Sequence, residues 1–128
     1  MKEIPVGHSN EMTITTTPEM GISHLGPGVS FYSTPAMVEH IEATAVQSLL
    51  PFLEPGEQSV GVRINIAHTA PTPIGMKVTI RTTVQEVDGR RCVFAVEAYN
   101  EGGLRIGEGT HERRIIDISR FTAGARGQ

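Results

Sequence analysis

An α+β fold, one helix packed on an antiparallel sheet, is what this 128-residue chain predicts. Three observations carry that expectation. One long stretch, opening at Ser33-Thr34-Pro35, has helically spaced apolar residues. The segments on either side of it alternate with a period of two. The later segments are joined by short turn signals, Asp88-Gly89 and Asn100-Glu101-Gly102-Gly103. The length suits one domain, residues 1–128, and such a chain can bury enough surface to fold without staples.

The first strand is expected at Glu11 to Thr17, where Met12, Ile14 and Thr16 face one way and Thr13, Thr15 and Thr17 the other. Pro18 ends it. Glu19 to Ser33 reads as loop, punctuated by Gly21, Gly26, Pro27 and Gly28. The helix follows, with Thr34 as N-cap and Pro35 at the first helical position, where a missing N–H costs nothing. Its apolar residues (Ala36, Met37, Val38, Ile41, Ala43, Ala45, Val46, Leu49 and Leu50) cover well over half the circumference, so burial on most sides is expected. Pro51 stops it, and Leu53 to Glu57 is a turn.

From Ser59 the period becomes two. Val60, Val62, Ile64 and Ile66 alternate with Gly61, Arg63, Asn65 and Ala67, and His68 falls on the Ile66 face. His68 to Gly75, rich in Thr and Pro, breaks the strand. Met76 to Val87, Arg90 to Tyr99 and Leu104 to Ile116 are three further strands linked as hairpins. Residues 122–128 read as a frayed tail. Four long hairpin strands curling around one central helix make the hotdog architecture. Such a sheet leaves an open edge, so a homodimer is expected, and dimers pairing into tetramers stay open.

Composition narrows the function. Eleven basic and fourteen acidic residues give a net charge of −3, which supplies no nucleic-acid footprint. The longest stretch free of Asp, Glu, Lys and Arg, Met20 to Val38, holds three Gly and two Pro, so no membrane span is expected. The N-terminus lacks the apolar core of a secretory signal, which makes a cytoplasmic location the default. Cys92 is the sole cysteine, so neither an intrachain disulfide nor a cysteine-based zinc site is expected. On a strand His111 and Glu112 point to opposite faces, which is no metal spacing.

Four residues stand out chemically. Glu42 sits in the most apolar part of the helix, where burial would raise its pKa; the alternative is a narrow solvated stripe shared with Glu39. His68 ends a strand on its apolar side, either as an acid–base group or as a core histidine bonded to a loop carbonyl. Thr34 either caps the helix or offers its hydroxyl to an intermediate. Gly61 interrupts a good strand, either as a bulge or to let a ligand carbonyl approach the main-chain N–H.

Several segments together resemble the hotdog-fold acyl-CoA thioesterases of the fluoroacetyl-CoA thioesterase type. They are Leu53-Glu54-Pro55-Gly56-Glu57, Val62 to Pro73 (VRINIAHTAPTP) with Gly75, Gly89-Arg90-Arg91, and Gly109-Thr110-His111-Glu112-Arg113. The resemblance runs from about Val6 to Phe121. It implies hydrolysis of an acyl-CoA thioester without a metal or separate cofactor, coenzyme A being part of the substrate. It also implies catalytic roles for Thr34, Glu42 and His68, and substrate contacts from Gly61 and Arg113. The family's lid segment, which closes aromatic residues over the acyl group, is longer than His24 to Ser33 here. Phe31 and Tyr32 are candidates for a partial gate but are not matched to that lid, and the acyl group stays open.

On that basis Glu42 is base or nucleophile, His68 relays the proton, Thr34 is nucleophile or positioning donor, and the Gly61 N–H polarises the carbonyl. Arg113, Arg90 and Arg91 are the candidate partners for the phosphates of coenzyme A. Eight helical residues separate Thr34 from Glu42 by about 12 Å along the axis. Either the chain around Thr34 folds back or the site uses both subunits of a dimer, and a site at the subunit interface is the favoured expectation. A hotdog hydratase or dehydratase and a non-catalytic acyl-CoA binder are the competing readings.

Overall fold

The computed structural model describes residues 1–127. In chain order the elements are β1 (Ser9–Thr15), α1 (Thr34–Leu49), β2 (Glu57–His68), β3 (Lys77–Asp88), β4 (Arg91–Asn100), β5 (Arg105–Asp117) and α2 (Ile118–Ala125). The five strands form one sheet in the order β1-β3-β4-β5-β2, with every neighbour antiparallel. Helix α1 packs on one face of it, which is the hotdog arrangement. Strand β2 therefore lies at an edge.

The start of α1 differs from expectation by one residue. Ser33, not Thr34, is the N-cap: its backbone is extended and its Oγ accepts from the Ala36 N–H at 3.1 Å. Thr34 and Pro35 become the first two helical positions, where N–H groups have no intrahelical partner and proline is tolerated. Pro51 falls within the 3₁₀ turn Leu50–Phe52 that closes the helix.

Met37, Ile41, Ala45 and Leu49 recur every four residues, and all four are fully buried. They meet Val78 and Ile80 of β3, Phe94, Val96 and Ala98 of β4, and Ile106 and Ile115 of β5 in one core. Burial on most sides does not hold within the single chain. Val38, Ala43 and Val46 are only half-buried and Leu50 is exposed, so a second apolar flank beside Glu42 is left partly open.

Strand β1 alternates as expected but begins and ends two residues earlier. Thr16 leaves the ladder because its hydroxyl donates to the Met76 carbonyl at 2.7 Å and accepts from the Gly75 N–H at 2.9 Å. Residues 122–125, expected within a frayed tail, form the end of exposed α2, which Asp117 caps through the Arg120 N–H at 3.0 Å. Gln128, the last residue of that tail, lies outside the described residues.

The expected phase of β2 is broken by a β-bulge. Its register against β5 shifts between Gly61 and Arg63. Ser59 and Gly61 pair with buried Ile115 and Arg113, while Ile64 pairs with buried His111. Directly opposed residues share a face. Ser59, Gly61, Ile64, Ile66 and His68 therefore all line the helix side, and Val60 does not. Gly61 thus meets the bulge explanation offered for it, and side chains of the chain itself, Glu42 and Arg113, approach it closely.

A second close approach joins β2 to β5. Gly109 has φ +152°, and a side chain there would overlap the Asn65 carbonyl oxygen and come within 2.7 Å of the Ile66 Cα. Gly109→Ala is expected to cost about 2 kcal/mol or more, measured by denaturant unfolding. Unchanged stability would mean the two strands part without penalty.

Candidate active site

With Ser33 capping the helix, the Thr34 hydroxyl is free for another partner. It lies 2.8 Å from Nδ1 of His68, the last residue of β2. Nε2 of His68 is buried and meets no hydrogen-bond partner of good geometry. Burial pushes this imidazole below its usual 6.5, and the Ala70 main chain pulls weakly the other way. The ring is therefore neutral near pH 7. With its proton on Nε2, facing the Ala70 side, the Nδ1 lone pair accepts the Thr34 hydroxyl.

Two residues that the sequence did not single out support this pair. The Tyr32 ring stands edge-on to His68, with centroids 6.3 Å apart. Tyr32 is itself buried, and its hydroxyl lies 2.6 Å from Nδ1 of His40, whose ring is parallel at 5.8 Å. Nothing in the spacing of Tyr32 and His40 signals this contact, because it depends on a loop residue folding back over the second turn of the helix. A cavity of about 430 Å³ opens beside Thr34 and His68.

The second cluster gathers at Gly61. A Cβ at Gly61 would overlap the Glu42 carboxylate and come within 3.2 Å of the Arg113 guanidinium. Arg113 donates from Nη1 to Glu42 Oε2 at 3.2 Å, and from Nε and Nη2 to the Ser59 hydroxyl and carbonyl at 2.8 and 2.9 Å. Nη1 also lies 3.2 Å from Nε2 of His111, whose Nδ1 donates to the Arg63 carbonyl at 2.8 Å. A second cavity, about 220 Å³, lies among Glu42, Gly61, Ile64 and His111.

Two expectations need correction here. Glu42 is not a buried carboxylate: its side chain is 44% exposed and ion-paired. Arg113 is 4% exposed, beneath the sheet, with its donors committed to Ser59, Glu42 and His111. It lies too deep to meet a coenzyme A phosphate. Arg90 and Arg91 remain at the surface, paired with Glu57 and with Glu86 and Glu112. The spacing His111-x-Arg113 puts both residues on one face of β5, the pattern in the sequence that carries this cluster.

The structure thus joins Thr34 to His68, and Glu42 to Gly61 and Arg113, but not the two clusters to each other. Helix α1 is regular from Thr34 onward, so the chain does not fold back to close the gap. Among the described residues, no group of three or more His, Cys, Asp or Glu is placed to hold a metal, and no helix is long and apolar enough to cross a membrane.

The sequence matches the family model of the fluoroacetyl-CoA-specific thioesterase over residues 11–119. It is 42% identical over 95 residues to the fluoroacetyl-CoA thioesterase of Streptantibioticus cattleyicolor, covering 74% of this chain and 68% of that protein. A solved fluoroacetyl-CoA thioesterase superposes with a TM-score of 0.89 at 34% identity, covering 99% of this chain and 98% of the other. A Thermus thermophilus hypothetical protein of the thioesterase superfamily gives 0.91 at 36% identity, covering 98% and 93%.

Three imidazoles, His40, His68 and His111, are each held below their usual pKa, chiefly by burial. Below pH 6.5 the unfolded chain binds more protons at these sites than the folded one, so stability must fall as pH drops. The melting temperature is expected to be level from pH 8 to 7 and to decline between 6.5 and 5. His111→Gln is expected to shallow that decline. A level curve down to pH 5 would contradict the assignment.

Proposed function

The chain belongs to the fluoroacetyl-CoA-specific thioesterase family and is an acyl-CoA thioester hydrolase; from that premise we propose that Thr34, Glu42 and His68 carry out the hydrolysis in a site shared by two copies of the chain. The reaction needs no resident cofactor, since coenzyme A arrives as part of the substrate. The observation that carries the residue assignment is the 2.8 Å bond between the Thr34 hydroxyl and a neutral, partly buried imidazole.

In this reading Thr34 Oγ1 attacks the thioester carbonyl carbon while His68 Nδ1 takes its proton. The oxyanion that forms meets the Gly61 main-chain N–H. The carbon–sulfur bond breaks, and the thiolate leaves with the proton that His68 returns. Glu42 then takes a proton from the water that attacks the acyl–Thr34 ester. The acyl carbon–Oγ1 bond breaks, the acid leaves, and that proton passes to Thr34 Oγ1, restoring the hydroxyl. Arg113 does not touch the substrate. It acts as a positioning residue, locked by Ser59 and His111, and fixes the carboxylate over Gly61.

Geometry supports the second copy. About 12 Å of helix separates Thr34 from Glu42, too far for one carbonyl to meet both. Among the described residues the outer edge of β2 has no strand partner, and Val62 and Ile64 on it are 50% and 39% exposed. Antiparallel pairing of two β2 strands about an axis between Ile64 and Asn65 sets Gly61 opposite the partner subunit's His68. It would also cover the half-open flank of α1. A homodimer of ten continuous strands is the proposed unit. A cytoplasmic setting suits a coenzyme A substrate and a lone thiol, Cys92, which burial pushes up to about 11.

Thiol release from acyl-CoA tests the assignment. Thr34→Ala, Glu42→Ala and His68→Ala are each expected to lose at least ~100-fold in rate while remaining folded. Glu42→Ala should also accumulate a covalent acyl adduct on Thr34, visible as added mass.

The shared site has its own check. When inactive Glu42→Ala and inactive His68→Ala chains are coexpressed, random pairing rebuilds about a quarter of the sites, because one half-site of each mixed dimer is intact. Activity that stays at zero in a verified mixed dimer would place the whole site within one chain.

Gly61→Ala should leave the fold intact yet lower kcat by about tenfold or more, because the added methyl displaces Glu42 from Arg113.

A further inference from the structure

The two cavities differ in kind, and that difference bears on the acyl group. The cavity beside Thr34 and His68, about 430 Å³, is walled by Ile22, Leu25, Phe31, Tyr32, Ala70 and Pro71. No Asp, Glu, Lys or Arg lines it among the described residues. The cavity beside Glu42, about 220 Å³, is lined by Glu42 of α1 and by Arg63 of the edge strand.

A coenzyme A thioester has two arms leaving the same carbonyl. The pantetheine arm bears two amides and a hydroxyl, and polar groups taken from water need partners along their length. The smaller, charged, strand-edged cavity offers them. The acyl arm of an alkanoic acid has no polar atom beyond the carbonyl, and a mostly apolar concavity is what binds such a group. An acetyl group would fill only a small part of the larger cavity and leave its apolar wall wet.

We infer that the Thr34–His68 cavity is the acyl pocket, and that it selects neutral, apolar acyl chains larger than acetyl, in the range of butyryl to octanoyl. It disfavours carboxyl-bearing groups such as succinyl, whose charge would meet no cation on that wall. This inference rests on the thioesterase reading above. It goes further in naming the substrate class.

Two measurements on the full-length protein test it. The first is kcat/KM by thiol release from acetyl-, butyryl-, hexanoyl-, octanoyl- and succinyl-CoA. Hexanoyl-CoA is expected to exceed acetyl-CoA by at least about tenfold, and succinyl-CoA to fall at least about tenfold below butyryl-CoA. The second is calorimetric binding of the S-ethyl and S-hexyl thioethers of coenzyme A, which cannot be hydrolysed. A fully buried methylene is worth roughly fourfold in affinity, so the hexyl thioether should bind at least about tenfold tighter even in an open pocket.

Ala70→Leu narrows the pocket and is expected to reduce the hexanoyl-to-acetyl ratio. Ile22→Ala widens it and should move the optimum to longer chains, so the test survives if either variant fails to fold. A preference for acetyl- or succinyl-CoA, or equal affinity for the two thioethers, would overturn the inference. Tighter hexyl binding without any thiol release would uphold the pocket and remove the hydrolytic reading instead.

Discussion

A straight α-helix holds its residues at fixed spacings, and that rigidity governs the site. Thr34 and Glu42 belong to the same regular helix, so no side-chain motion brings them to one carbonyl. Each has instead recruited a different part of β2. Thr34 meets His68 at the end of the strand, and Glu42 lies over Gly61 seven residues earlier. The strand runs beside the helix and gives each of its two functional groups a separate partner. In the proposed dimer, the open edge of β2 is where a second copy would bring unlike halves together.

The bulge makes this arrangement possible. In an unbroken strand, Gly61 and His68, seven positions apart, would face opposite sides of the sheet. The extra residue between Gly61 and Arg63 puts both on the helix side, at the cost of local ladder pairing. Arg113 then fills the space beneath Gly61, and the buried Ser59 and His111 satisfy what a lone guanidinium there would lack. A charged group so deep in the sheet is tolerable only because nearly every donor has a partner.

Much of the fold was legible because its periodicities are strong. The change from helical to alternating spacing at Ser59, the Asp88-Gly89 turn and the proline after Leu50 fix the element order. Thr34, Glu42, His68 and Gly61 were legible as residues out of character with their surroundings. What could not be read was which neighbour each would meet. Ser33 and Thr34 are equivalent cap candidates until the backbone geometry is known. The bulge has no signature beyond a glycine. Tyr32–His40 and Arg113–Ser59 are tertiary contacts between segments that no local pattern connects. The apolar excess on α1 was visible, but within one chain it is only half used.

The adjacent hydroxyls at the head of α1 divide two tasks that one residue often performs alone. Ser33 anchors the helix through the Ala36 amide, so the side chain at 34 is released from capping and left free for the role proposed for it. Position 34 can therefore vary without loosening the scaffold, and the anchor can vary without touching the proposed nucleophile. If the hydroxyl at 34 is the nucleophile, as proposed, a thioesterase built this way is free to drift toward a silent acyl-CoA carrier by a single change there while its architecture stays whole.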